Sequence, residues 1–501
     1  MLPNPSSINM PKKIEADNEG SIEAIRLSSS EPSPLQEPHP LVDEGKLLRK
    51  IDLHVLPILF IVYVAAFIDR VNISGALTLG LPAELGLVGQ QPNIALTIFF
   101  VPYILFEIPS NILMKRWSPH VWLSGCILAF GVITIGQGFV QSYSGLLATR
   151  FLLGLAESGI FPGSFYLISF WYRREESLKR FTFYWSSTII AGAFGGLLAT
   201  AITNLDNVRG LSSWKWIFIL EGLATILIGI VAFFAITDFP NEAKWLSSEE
   251  RAYLLKKTGN TSGTSVSHSI PITIKDVVTF LSKPKHWVAA VMYFSLLVPS
   301  YSFVFFIPTV VQTLGYSTIG TQLHSVPPFA AAFGFAVVTA YVSDKLRIRS
   351  PFILLGLLIL ITGLSLLISV HGAEHFSTEY AGLCLSAIGT LGIGGNMVCW
   401  YVMNLRGHQE RSIGSAWLLC FGNLGGIVAT FSFLKSGAPY YHTGYSICLA
   451  TSALCVVMCA CYAFLIWRER NEDSVGNYLP SESAMYIFRP RTTVDPTFSS
   501  I

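Results

Sequence analysis

Twelve stretches of about 20 or more predominantly apolar residues run through this 501-residue chain, and ~20 such residues are what an α-helix needs to cross a bilayer's hydrocarbon core. Lipid offers no hydrogen bonds, so a segment at that depth must satisfy its own backbone, and continuous apolar runs do so as helices. The spans are predicted at 52–77, 92–114, 120–140, 144–170, 180–204 and 214–237. After a polar stretch they resume at 287–313, 324–343, 351–370, 379–403, 412–434 and 444–467. Charged residues make up only 13% of the chain, about half the share in a soluble domain. The predicted fold class is therefore an all-α membrane protein. A net charge of +2 argues against a nucleic-acid partner, and the eight cysteines lie in apolar runs without disulfide or metal-ligand spacing, so no metal and no cofactor is expected. The Ser- and Pro-rich beginning has no apolar core of the kind a cleaved signal peptide needs, and reads as a disordered tail to about residue 45.

Lysine and arginine set the orientation. With the N-terminus inside, 28 of the 33 fall in inner segments. Three (Arg209, Lys215, Lys435) fall outside and two (Arg70, Arg150) within spans. Both termini are thus expected in the cytoplasm. The chain divides into an N-terminal tail (1–50), a six-helix bundle (51–237), a central cytoplasmic loop (238–286), a second six-helix bundle (287–467) and a C-terminal tail (468–501). In the loop, Ser247 and Glu250 have the spacing of a capping box that starts a short amphipathic helix. A Ser/Thr/Gly-rich linker around Gly259–Ser269 follows. Short basic turns end spans 2 and 8 alike, the faint internal symmetry of a repeated bundle.

Charges inside spans are costly, about 2.5–3.5 kcal/mol each on insertion scales, and mark a pathway or a pairing. The fourth span carries Arg150, Gly154 and Glu157 on one helical stripe. Gly159 and Gly163 permit close packing there, and Pro162 can kink the helix between them. Asp69 and Arg70 lie near the outer end of span 1. Arg150 is expected at their depth and Glu157 about 10 Å deeper.

Several motifs carry a resemblance: F-I-D-R-V-N (Phe67–Asn72), F-E-I-P-S-N (Phe106–Asn111), R-F-L-L-G-L-A-E-S-G-I-F-P-G in span 4, W-K-W-I-F-I-L-E-G opening span 6, and D-F-P-N-E-A-K-W-L in the loop. With the 6+6 arrangement they resemble the major facilitator superfamily, and within it the anion:cation symporter family and its fungal allantoate and nicotinate permeases. The turn after span 8 resembles the superfamily's G-x-x-x-D-R/K-x-x-R signature, with Ala340 for its glycine, then Asp344, Lys345 and Arg349. The turn after span 2 keeps Lys115 and Arg116 but lacks the aspartate. These five residues are the implied cytoplasmic gate.

The resemblance implies a monomeric plasma-membrane importer that couples a small organic carboxylate anion, nicotinate or a ureido acid such as allantoate, to protons by alternating access. A uniporter or effluxer of the same fold and a non-transporting nutrient sensor are the rivals; the loops offer no constellation for an enzyme. Asp69 and Glu157 are the expected proton-coupling acids, and Arg70 and Arg150 the substrate or gate arginines, since a guanidinium fork suits a carboxylate. Tyr103, Asn396, Trp400 and Asn423 are candidates for substrate binding or gating, with packing or an interhelical hydrogen bond as the competing role. Glu107 is expected in a structural ion pair or cap, and Glu221 in a structural role beside interfacial aromatics. Tags on the two termini should both be reachable by antibody only after permeabilisation; one tag reachable in intact cells contradicts the twelve-span arrangement.

Overall fold

A backbone that can bond only to itself coils into a helix, and each predicted run does so in the computed structural model. The described residues are 42–258, 274–346, 348–370 and 375–476. Among them, twelve helical segments are long and apolar enough to span a membrane. Those of the first half are Glu44–Thr78, Gln91–Arg116, Pro119–Gln137, Tyr143–Trp171, Arg174–Ile202 and Ser213–Ala235; those of the second are Pro284–Thr313, Thr318–Leu346, Ser350–Ser369, Phe376–Met403, Gly407–Thr430 and His442–Gly476. Residues 1–44 and 45–501 are separate units. Only 42–44 of the first are described, so the expected disordered tail otherwise lies outside the described residues. The Gly259–Ser269 linker and the end of the C-terminal tail (477–501) do too. Everything below concerns the second unit.

Four boundaries differ from expectation by six residues or more, among them that of span 5, which begins at Arg174 instead of 180. Span 1 is helical from Glu44, well before residue 52, and span 12 continues past 467 to Gly476. Span 8 begins at Thr318 instead of 324. Ser317 caps it by accepting a hydrogen bond from the Gly320 amide at 3.1 Å, and the helix is jointed at Ser325. Pro327 and Pro328 then occupy the first turn of the next segment, where a missing N–H costs least.

Span 4 is broken into Tyr143–Glu157 and Ile160–Trp171. Pro162 has no N–H to offer the Ser158 carbonyl four residues back, so the hydrogen-bond ladder fails there. Span 10 is broken likewise at Gly392–Ile393. Spans 4 and 10 occupy equivalent places in the two halves. The packing repeats on the same rule: 3 against 6 and 9 against 12, 2 against 4 and 8 against 10. Between the halves, span 5 packs on span 8 and span 2 on span 11, again a pair exchanged by adding six.

At the side where spans 1 and 2 are joined, Asn93 donates to the Thr430 carbonyl (2.5 Å), the Thr97 and Thr430 hydroxyls bond (2.6 Å), and Gln322 donates to Thr78 (3.0 Å). These bonds stitch the halves together. At the opposite, tail side, Arg180 grips Asp52 through two bonds of 2.6 and 2.9 Å. The loop helix Ser248–Thr258 docks there, with Ser247 and Glu250 exchanging the two bonds of a capping box (2.9 and 3.1 Å). Lys50 reaches Glu250 at 2.7 Å, and with the Ser247 amide it holds that carboxyl below its usual range.

Gly154 shows how close the helices come. A Cβ there would overlap the Phe99 carbonyl oxygen of span 2 and meet the Pro102 ring at 3.1 Å. Gly154→Ala should therefore cost about 1–3 kcal/mol, as overpacking does, and lower the melting temperature of the purified chain. Gly136→Ala, which meets nothing within 4 Å, should leave it unchanged. Equal melting of the two variants contradicts the close approach of spans 2 and 4.

Candidate functional site

Span 1 carries Asp69 and Arg70 into the core, 1% and 2% exposed. Arg70 meets Glu157 of span 4 side-on: Nη2 donates to Oε1 in a short bond and Nε to Oε2 at 3.4 Å. Glu157 is itself 1% exposed, at the last residue before the break in its span, so the broken helix presents the carboxylate at its loose end. The remaining Arg70 nitrogen, Nη1, donates across to the second half, to the Tyr301 hydroxyl of span 7 at 3.0 Å. Tyr301 passes the chain on to Asn423 Oδ1 of span 11 at 2.8 Å. Three rings surround the guanidinium, Tyr103 at 4.8 Å, Phe99 at 5.0 Å and Phe67 at 5.4 Å from ring centre to Cζ. The cation is thus held by one carboxylate, one phenol and π faces, each of which favours its charge. Removing either member of so buried an ion pair leaves the other uncompensated, at a cost of ~3–5 kcal/mol.

Arg150 anchors a second group. It is 1% exposed, its guanidinium lies 6.0 Å from the Phe218 ring, and its Nε and Nη2 atoms have no hydrogen-bond partner. Its electrostatic neighbours are Asp69, Glu157 and Glu221. Asp69 Oδ2 accepts from Thr134 of span 3 (3.4 Å) and Thr225 of span 6 (3.2 Å). Asn72, one turn along span 1, donates to Glu221 in a short bond. Spans 1 and 6 are therefore cross-linked twice.

This corrects the expected setting of Glu221. Of its aromatic neighbours, Trp214 and Phe218 are buried and Trp216 is half-buried, and the carboxyl faces the interior charges of Asp69 and Arg150. A WxWIFILEG motif marks both an aromatic belt and a buried helix, and only the packing separates the two. Glu107 departs further from expectation. It is fully buried, with the Cys420 thiol of span 11 donating to Oε2 at 3.4 Å and Oε1 unpartnered, so among the described residues it forms neither the ion pair nor the cap. Tyr301 carries no signal in the sequence, being one of nineteen tyrosines; only its position between Arg70 and Asn423 singles it out.

The other candidates fall elsewhere. Asn396 accepts from Arg349 (3.0 Å) and Ser343 (3.4 Å) and donates to Thr339 (3.4 Å), while Arg349 also pairs with Asp344 in a short bond. Asn396 thus belongs with the signature turn after span 8, not with Arg70. Lys345 and Arg116 are exposed, and the Lys115 side chain lies outside the described ones. Trp400 packs edge-on against Tyr462 at 4.9 Å. Asn423 and Tyr103 join the Arg70 group. Among the described residues no cluster of side chains fits a metal ion.

A twelve-span helical protein whose buried charges gather where its two halves meet belongs to the class of membrane transporters. The chain is a member of the Major Facilitator Superfamily, whose family model matches residues 59–430. It is 31% identical to the high-affinity nicotinic acid transporter of Saccharomyces cerevisiae over 92% of this chain and 84% of that one. It is 30% identical to the MFS-type transporter cnsO of Penicillium expansum over 86% and 85%. Its fold matches the crystal structure of a bacterial homologue of the human lysosomal transporter Spinster with a TM-score of 0.63, at 17% identity over 86% of this chain and 99% of that one. The family and these relatives are transporters, and the protein is accordingly a multi-pass transporter and not an enzyme.

Proposed function

We propose that the protein imports a small organic carboxylate, with nicotinate the favoured substrate, together with protons, as a monomeric anion:cation symporter of a plasma membrane with both termini inside. The observation that carries the reading is the Arg70 fork, closed on Glu157 at one edge and bonded to Tyr301 of the other half. Glu157 occupies the side-on edge of Arg70, Nε and Nη2, and a substrate carboxylate competes with it for the guanidinium. Glu157 displaced from Arg70 in an apolar interior must either stay charged and unpaired, which is costly, or take a proton. Substrate and proton then bind together because the Glu157 carboxylate that the substrate displaces is neutralised by the proton. The rings of Phe67, Phe99 and Tyr103 around Arg70 suit a flat ligand body, and the likeness to a nicotinic acid transporter supports an aromatic monocarboxylate. Release follows when the halves rock apart and the Tyr301 bridge between them breaks, leaving Arg70 to Glu157 again.

Uptake of radiolabelled nicotinate by cells expressing the chain tests this. Accumulation should collapse with a proton uncoupler, and unlabelled nicotinate should compete where nicotinamide, lacking the charge, does not. Glu157→Gln should keep nicotinate exchange but lose accumulation driven by a pH gradient. Arg70→Lys, which keeps the charge and loses the fork, should weaken apparent affinity about 10- to 100-fold, the equivalent of ~1.5–3 kcal/mol for a charge-assisted hydrogen bond. Equal competition by nicotinamide, or full accumulation by Glu157→Gln, contradicts the proposal; uncoupler-insensitive uptake would instead mark a uniporter.

A further inference from the structure

The charges inside the first half do not balance if every group is ionised. Its spans bury four carboxyls (Asp69, Glu107, Glu157, Glu221) against two guanidiniums (Arg70, Arg150). Glu107 lies apart at Cys420 of span 11, within the field of Arg70, and the three acids that face Arg150 still outnumber the two cations; the other polar groups beside them are neutral, Asn72, Thr134 of span 3 and Thr225 of span 6. A net charge sealed in an apolar interior is costly, so the group has room for one proton. Contacts decide where it sits. Glu157 is claimed by Arg70 through two bonds. Asp69 and Glu221 are instead within hydrogen-bonding reach of one another, and each has one oxygen that no donor among the described residues satisfies, Oδ1 and Oε2 respectively. Two ionised carboxylates are acceptors only and repel; with a proton on one of them the pair becomes a donor and an acceptor, and both orphaned oxygens are served at once.

We propose that Asp69 and Glu221 form a proton-sharing carboxyl pair, a second proton site of the transporter beside the Arg70–Glu157 pair. The neighbourhood is built to hold it. Thr134 and Thr225 fix one oxygen of Asp69, and Asn72 fixes one of Glu221, so one oxygen of each acid is left without a donor. Arg150 waits beside them with Nε and Nη2 unpartnered. When the shared proton leaves, only its O–H bond is broken, and the second negative charge that appears has a cation to receive it. The inference rests on the proton-coupled reading above, and adds to it that Glu221 is half of the acid that Asp69 was expected to be alone.

Infrared difference spectroscopy between acidic and alkaline states, on the purified full chain in lipid nanodiscs without substrate, reads such a proton directly in the C=O stretch of a protonated carboxyl. Wild type should show a band that shifts in deuterated water. Asp69→Asn and Glu221→Gln should each abolish it, and the double variant should remove nothing more. Glu221→Asp keeps the number of acids but draws the carboxyl back by one methylene, so the band should move to the frequency of an unpaired acid. Persistence of the band in Glu221→Gln, loss of two separate bands in the two single variants, or an unchanged spectrum in Glu221→Asp would overturn the pair. Elution volume and helicity show whether each variant has folded, and Glu221→Asp decides the matter if Glu221→Gln has not. Because no substrate is present, the band reports on the pair independently of nicotinate import. A shared band in a chain that takes up no carboxylate sinks the functional reading alone, and proton-driven nicotinate uptake without the band sinks the pair alone.

Discussion

An arginine buried within a membrane-spanning helix has to be neutralised by its neighbours, because an apolar interior cannot do it. Arg70 is 2% exposed, and the way its charge is met organises much of the structure around it. Its partner Glu157 is brought to it by the break in span 4. That break is made by Pro162, and the segment before it packs so closely on span 2 that Gly154 has room for no side chain. The second hydrogen-bond partner, Tyr301, comes from span 7, so the cation also joins the two halves. The cost of burying one charge is met by elements that the chain supplies from four spans and from both halves.

The repeat gives this arrangement its mechanical setting. Spans 4 and 10 are broken at equivalent places, and spans 2, 5, 8 and 11 make the exchangeable contacts between the halves. Only the first half, however, fills its break with charge. The tenth span's break lies at Gly392–Ile393 and is followed by Gly394 and Gly395, which lie flat against the Trp185 indole of span 5. The first half thus holds the titratable groups, and the second contributes a phenol and an amide, Tyr301 and Asn423, that can bond to a ligand or to Arg70 without changing charge. On the proposed function Arg70 joins proton handling to substrate seating within the first half, and the second half faces it with neutral groups.

Much of this is legible in the chain because the governing signals are local. Apolar runs name the spans, the i, i+4, i+7 spacing puts Arg150, Gly154 and Glu157 on one face, and Ser247 with Glu250 names the loop helix. What is not legible is long-range. Glu221 sits in an aromatic-rich helix start that reads like a membrane interface, and only its apposition to Asp69 reveals otherwise. Glu107 lies near basic turns in sequence, yet points at Cys420 across the halves. Asn396 reads as a substrate ligand because glycines surround it, whereas its partners are Arg349 and the signature turn. In each case the residue type is plain in the sequence and the neighbour is not, since neighbours more than a few turns away leave no periodic trace.

In the proposed mechanism a substrate carboxylate displaces Glu157 from Arg70, so that binding a substrate anion drives a proton onto the site. Calorimetric titration of the purified chain with nicotinate, repeated in buffers of different ionisation enthalpy at one pH, measures the protons taken up on binding. The binding enthalpy should vary with the buffer in the sense of net proton uptake, and that dependence should be lost in Glu157→Gln while nicotinate still binds. A binding enthalpy that is the same in every buffer for the wild-type chain would contradict the mechanism.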